Sequence, residues 1–299
     1  MSSVATRKQQ LSQNLYFCDM MSLRANLDHR LPSNFRQPMP GQITLVRDAT
    51  LATVTLDNPP KLNALTVAMW QQLARVMREL SADDGLRCVV LRGVGDQAFA
   101  AGADIAEFAS VRNTREQGVV YHREHVHGAL QAVAECRHPV VAMIHGPCVG
   151  GGLEIACQCD LRIGGESGRF GVPINRLGFS IACDELAAVL PVVGRAAALE
   201  ILLEGRVWDA HEALAKGLLT RVVPDAELAQ EVSATVARIT AGAPLVARWH
   251  KQFVRRLTPR AAPLTAQEID ASFAYFETAD FREGYAAYQQ KRKPDFRGV

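Results

Sequence analysis

The chain reads as an α/β fold with parallel strand pairing. Two observations predict it. Short apolar strands, Cys88-Val89-Val90-Leu91 and Val140 to Ile144 among them, alternate with helical patterns between about residues 43 and 163. The composition, 48% apolar and 21% charged over 299 residues, is that of a soluble globular protein long enough for one large domain and an appendage.

The elements follow in order. Ile43 to Val46 and Leu51 to Leu56 read as two strands joined at Arg47-Asp48-Ala49-Thr50, and Asn58-Pro59-Pro60 closes the hairpin. A helix is predicted from about Thr66 to Leu80, with Val67, Trp70, Leu73, Met77 and Leu80 on one face, stopped by Ser81 to Gly85. Helical patterns also cover about Arg115 to Cys136 and Leu153 to Cys159, and Asp160 to Ile163 is a further strand. After Pro224 the pattern is all helical: Ala226 to Thr240, Pro244 to Leu257 and Gln267 to Lys291. The expected division is an extension over 1–40, an α/β core over 41–235 and a helical oligomerisation region over 236–299.

The first 40 residues carry five Lys/Arg against two Asp. That balance partly fits a transit peptide, but the segment lacks helical amphipathicity and reads as a disordered extension, or as a start placed too early, with Met20, Met21 and Met39 as alternatives. A net charge of +2 argues against a dedicated nucleic-acid protein. The longest apolar run, Leu186 to Val193, contains Pro191 and ends at Gly194, short of a membrane span. None of the seven cysteines forms a CxxC pair, so they read as reduced core thiols of a cytoplasmic or matrix-like compartment.

One segment carries chemistry. Val149-Gly150-Gly151-Gly152-Leu153-Glu154 places three glycines between an apolar strand and an apolar helix, with a carboxylate directly after them. Glycine lets a ligand approach the backbone, and a helix N-terminus offers unpaired N–H groups and the positive end of the dipole. An oxyanion site and an acid/base group therefore lie within one turn of each other. The competing reading is a glycine turn with a surface glutamate.

Separated motifs then point one way: Asn58 to Leu65 (NPPKLNAL), Ala98 to Ile105 (AFAAGADI), His138 to Gly146 running into Gly150 to Glu154, Phe170-Gly171-Val172-Pro173, and Lys291 to Phe296. The chain resembles the enoyl-CoA hydratase/isomerase (crotonase) family from about residue 42 to 299. The resemblance implies a spiral of ββα units with a helical C-terminal trimerisation region, and homotrimers often paired into hexamers. It implies an acyl-CoA thioester substrate, CoA being part of that substrate, with no separate cofactor and no metal. It implies that the N–H groups of Ala103 and Gly151 hold the thioester oxygen. Glu154 takes the first acid/base position, Lys61, Leu62, Ala64, Ala101 and Asp104 line the CoA site, and Lys291 approaches its phosphates.

The sequence also departs from that pattern. Hydratases of the family carry a second glutamate after Phe-Gly-x-Pro, where this chain has Ile174. The Gly-rich run expected after Leu177-Gly178 is replaced by Phe179 to Leu186, and the position of an acid used by isomerase relatives is Ala182. Asp184 and Glu185 lie in the changed run, where surface charge is the default. Ile174 should raise the pKa of a buried Glu154 by desolvation, while the helix N-terminus pulls it down. His122, His125 and His127 form a cluster, but no HExxH spacing occurs, so a solvated helix face is expected, with a histidine reaching the acyl pocket as the alternative. Cys157 and Cys159 do not face each other on a helix and read as core thiols. The residues leave three functions open: a hydratase or isomerase with Glu154 as single acid/base, another crotonase reaction such as thioester hydrolysis or decarboxylation, and a non-catalytic acyl-CoA binding protein.

Overall fold

The computed structural model describes residues 41–258 and 262–299, so the expectation for 1–40 lies outside the described residues. A six-stranded sheet runs β1-β2-β3-β4-β6-β9, built from β1 (Gln42–Asp48), β2 (Leu51–Asp57), β3 (Cys88–Gly93), β4 (Val140–Ile144), β6 (Leu161–Gly165) and β9 (Arg221–Val223). Only the β1/β2 hairpin is antiparallel; every other neighbour pair in this sheet is parallel. A second sheet of three strands, β5 (Pro147–Val149), β7 (Arg169–Gly171) and β8 (Val207–Asp209), is ordered β5-β7-β8.

Strand β4 and the first four residues of β3 are apolar and buried because both faces are covered. Val89, Leu91, Val140, Ala142 and Ile144 face the larger core, packed by α1 (Val67–Ala82), α3 (His127–Glu135), α4 (Gly151–Gln158) and part of α5 (Cys183–Leu203). Cys88, Val90, Val141 and Met143 face the other way, onto Leu228, Val232 and Val236 of α6 (Leu228–Ala241). Period-2 side-chain alternation produces this division. Helix α6 runs unbroken through residue 235 and is followed by Gly242.

Two expected helices and one apolar run differ in detail. Arg115 to Cys136 is divided into α2 (Arg115–Val120), a π-helical turn (Tyr121–Val126) and α3. Gln267 to Lys291 is broken into Ala266–Ala271, a 3-10 turn at Ala274–Glu277 and α8 (Ala279–Gln289). The run expected to end at Gly194 instead continues as the 21-residue α5, bent where Gly194 adopts φ 76. By length and composition α5 could cross a membrane, but it is bent and its Glu185, Ala188, Val189, Ala198 and Ile201 are buried in the fold. Its weak periodicity around Pro191 is why the sequence concealed it.

Helix α7 (Pro244–Leu257) has no buried residue. Its basic row ties it to the rest of the chain: Arg248 Nη2 donates to the carbonyl oxygens of Asp84 and Leu86, Lys251 pairs with Asp160 at 2.7 Å, and Arg255 donates to the Ala134 carbonyl. The opposite row, Leu245, Val246, Trp249, Phe253, Val254 and Leu257, is exposed.

Candidate active site

Three strand-like segments converge to build the site. Residues 98–103 lie between the Lys61–Leu65 turn and β5. Leu65 N–H donates to Gly102 O and Asp104 N–H to Leu65 O, while Val149 N–H donates to Ala100 O at 3.1 Å. In this parallel bridge the flanking residues make the ladder bonds, which leaves the N–H of Ala103 turned to the opposite side. The turn enters through Leu62 and Asn63, both at positive φ (51 and 59). It is held by Asn63, which donates to the carbonyl oxygens of Val94 and Ala98 and accepts from Asn58 N–H. Ala101 N–H donates to Leu62 O, and the Ala64 carbonyl accepts from the Asn58 amide.

The glycine run completes the pair. Gly150 sits at φ 50, ψ −125, a region closed to other residues, and its N–H donates to Gly171 O of β7 at 2.8 Å. Gly151 opens α4, so its N–H is among those with no intrahelical acceptor. A Cβ on Gly151 would lie 2.7 Å from the Trp70 ring. Gly150 packs against Gly102, where a Cβ on one would lie 3.7 Å from the Cα of the other. The two expected donors, Ala103 and Gly151, thus lie on segments in mutual contact.

Glu154 follows on the first turn of α4 and is 4% exposed. Burial, then the charge of Glu185, push its carboxyl well above the usual range, and Arg112 opposes them only in part. Desolvation is the largest cause of that shift. Ile174 lies in the Pro173–Leu177 turn, packed on the main core, and keeps that side apolar.

Glu185 and His122 lie at the same site. Glu185, on the first turn of α5, is 5% exposed and makes a short hydrogen bond with Nδ1 of His122, also 5% exposed. The expected solvated face holds for Arg123 and Glu124 but not for His122. The π-helical turn at Tyr121–Val126 adds a residue to the local period and rotates Tyr121 and His122 inward. Burial pushes Glu185 up to about 8 and holds His122 well below its ordinary value, so each is driven towards its uncharged form. Trp70 Nε1 donates to the Tyr121 hydroxyl beside this cluster. Asp184 stays half-buried on the outer side, within 4.0 Å of Arg123.

The remaining expected residues divide into two groups. Lys61 and Asp104 form a short ion pair that ties the two loops, and Asp104 also caps the following turn through Ala106 N–H. Leu62, Ala64 and Ala101 border the same junction. Lys291 is exposed beyond the end of α8, at φ 54, and makes no ion pair among the described residues; its neighbour Arg292 is held by Glu283. Cys157 and Cys159 are buried thiols, as expected. No cluster of three metal-ligating side chains occurs among the described residues.

Comparison with known proteins agrees with this architecture. Residues 46–299 match the family model described as enoyl-CoA hydratase/isomerase. The Bacillus subtilis (strain 168) protein YngF, named for the same family, is 32% identical over 255 residues, 85% of this chain and 97% of the relative. A crystal structure of an enoyl-CoA hydratase/carnithine racemase from Magnetospirillum magneticum superposes with a TM-score of 0.71 at 50% identity, covering 86% of this chain and 96% of the other. A methylmalonyl-CoA decarboxylase complexed with 2-nitronate-propionyl-CoA superposes at TM-score 0.77 with 24% identity, covering 86% and 99%, a likeness of fold alone. With residues 46–299 matched by the family model, this chain is an enzyme of the enoyl-CoA hydratase/isomerase (crotonase) family.

Proposed function

We propose that the enzyme adds water across a 2-enoyl-CoA thioester, with Glu154 and Glu185 sharing the proton work. The Ala103 and Gly151 N–H groups receive the thioester oxygen and stabilise the enolate by a few kcal/mol. The observation that carries the reading is electrostatic: two buried carboxyls within reach of each other's charge, both held above the normal range. Like charges in one dry site ionise one at a time. In the singly ionised state one carboxylate takes a proton from water as its oxygen bonds to Cβ, and the other carboxylic acid delivers a proton to Cα. Glu185, oriented by His122, thereby supplies the second acid that the family's hydratases carry where this chain has Ile174.

A one-carboxylate shuttle through Glu154 gives double-bond isomerisation instead. The apolar side chain of Ile174 in place of a water-holding carboxylate supports it as the second reading. Purified protein with crotonyl-CoA and a 3-enoyl-CoA, followed by mass, separates them. A water adduct supports hydration, the shifted double bond supports isomerisation, and product from neither overturns both. The Lys61–Asp104 junction is proposed to border the CoA, which is part of the substrate, with no further cofactor.

The exposed apolar row of α7 supports a homotrimer or hexamer. Trp249 and Phe253, 49% and 55% exposed, lie one turn apart on a helix whose basic row already holds its own chain. Sedimentation at micromolar concentration tests it, and a monomer would overturn it.

A further inference from the structure

The buried cluster holds one charge that the proposed chemistry leaves unanswered. Arg112, 3% exposed, lies beyond 4.0 Å of every carboxylate among the described residues. Its Nε and Nη2 have no hydrogen-bond partner. Three aromatic rings fix its plane: the guanidinium carbon is 4.0 Å from the centroid of Phe108, 4.8 Å from Phe179 and 5.2 Å from Tyr121. The ring faces take up the guanidinium face and leave its N–H edge free. The Tyr275 hydroxyl is buried with no partner that meets hydrogen-bond geometry; burial pushes it up to about 12, and the neighbouring Arg112 side chain pulls it down. The buried Nε2 of His122 is the third unpartnered group of the same cluster.

Buried charges are paired in stable folds, and a buried guanidinium with an idle donor edge is unfavourable. The charged and titratable groups facing it are Glu154, Glu185, His122, Tyr121 and Tyr275. Burial pushes both carboxyls up and holds the histidine down, which weakens any answer they make to the guanidinium charge. The missing partner is an anion that arrives with the ligand, planar and able to accept two parallel N–H bonds and a hydroxyl.

We propose that the acyl group of the substrate carries a free carboxylate at its far end, held by the N–H edge of Arg112 and the Tyr275 hydroxyl. The substrate is then the mono-CoA thioester of an unsaturated dicarboxylic acid, a refinement that rests on the acyl-CoA reading of the site. A carboxylate clamped by a guanidinium is stabilised as the ion, which works against its loss as carbon dioxide and favours chemistry at the Cα–Cβ bond.

The test uses matched thioesters differing only in the terminal group: adipoyl-CoA against hexanoyl-CoA for binding by calorimetry, and the corresponding 2-enoyl pair for turnover. The wild-type protein is expected to bind the diacid at least tenfold more tightly and to show at least a hundredfold higher kcat/KM for it, because a buried polar site rejects an analogue lacking its partner. Arg112→Met collapses both ratios towards one. Arg112→Lys recovers part of the preference, and Tyr275→Phe, which removes one oxygen, lowers it roughly tenfold. Equal binding of adipoyl- and hexanoyl-CoA by the wild-type protein overturns the proposal even if both enoyl thioesters are turned over. A diacid binding preference without turnover sustains it and overturns the hydration reading instead. Equal losses on both thioesters in Arg112→Met and in Tyr275→Phe would mean that Arg112 serves Glu154 and Glu185 rather than the ligand, and would also overturn it.

Discussion

His122 Nδ1 and the Glu185 carboxyl form a buried hydrogen bond between the π-helical turn and the first turn of α5, 63 residues apart in sequence. Together with Glu154 they make a polar cluster inside an otherwise apolar core, and most of the testable behaviour follows from it.

Glu154→Gln is expected to lower turnover by roughly 10²–10⁴ while acyl-CoA affinity changes only a few-fold, because the amide fills the same space but moves no proton. Steady-state kinetics beside calorimetric binding measures both. Retained turnover would remove Glu154 from the chemistry.

Glu185→Gln is expected to cut hydration by about a hundredfold or more, and His122→Phe by less, since His122 acts through Glu185. The informative readout is the pH profile. The wild-type activity should change across the region near 8, where Glu185 loses its proton, and that change should vanish in Glu185→Gln. An unaltered profile would make the pair purely structural.

Stability should fall as pH rises from about 6.5 to 8. Glu185 titrates at about 8 in the folded protein against an ordinary 4.5, so the folded state keeps a proton that the unfolded chain has released. Stability from this group therefore declines with rising pH through that window. His122 acts in the opposite sense below its ordinary 6.5 and offsets the decline there. Above 6.5 Glu185 contributes a loss on the order of 2 kcal/mol up to its own titration near 8. Denaturant melts at pH 6.5 and 8 should show it, and Glu185→Gln should flatten it.

Gly151→Ala is expected to destabilise by about 1–3 kcal/mol, because the added methyl enters the Trp70 ring and must displace it. It should lower kcat more than it raises KM, since the shifted N–H serves the developing oxyanion. Thermal melts and kinetics on one preparation check the two effects together.

Trp249→Asp with Phe253→Asp should convert the assembly to monomers without loss of secondary structure, because both side chains lie on the exposed face of α7 and neither belongs to the buried core. Sedimentation velocity and circular dichroism give the answer, and an unchanged oligomer would move the interface elsewhere.

The α/β class, the hairpin, the buried central strands and the glycine turn leading to Glu154 were legible in the chain's local patterns. Each rests on local signals: period-2 or period-3.6 apolar patterns, and glycines where the backbone needs them. The sequence also exposed the loss of a carboxylate at Ile174. Which distant groups join Glu154 depends on how the helices assemble. Helix α5 carries Pro191 and Gly194 and shows little periodicity, so the burial of Glu185 was hidden. His122 pointed to a solvated face until the π-helical turn rotated it inward. Arg112 gave no local sign of a buried guanidinium, because the rings around it come from Phe108, Tyr121 and Phe179, separated along the chain. Burial and electrostatic coupling are properties of assembled surfaces, and no short window of sequence contains them.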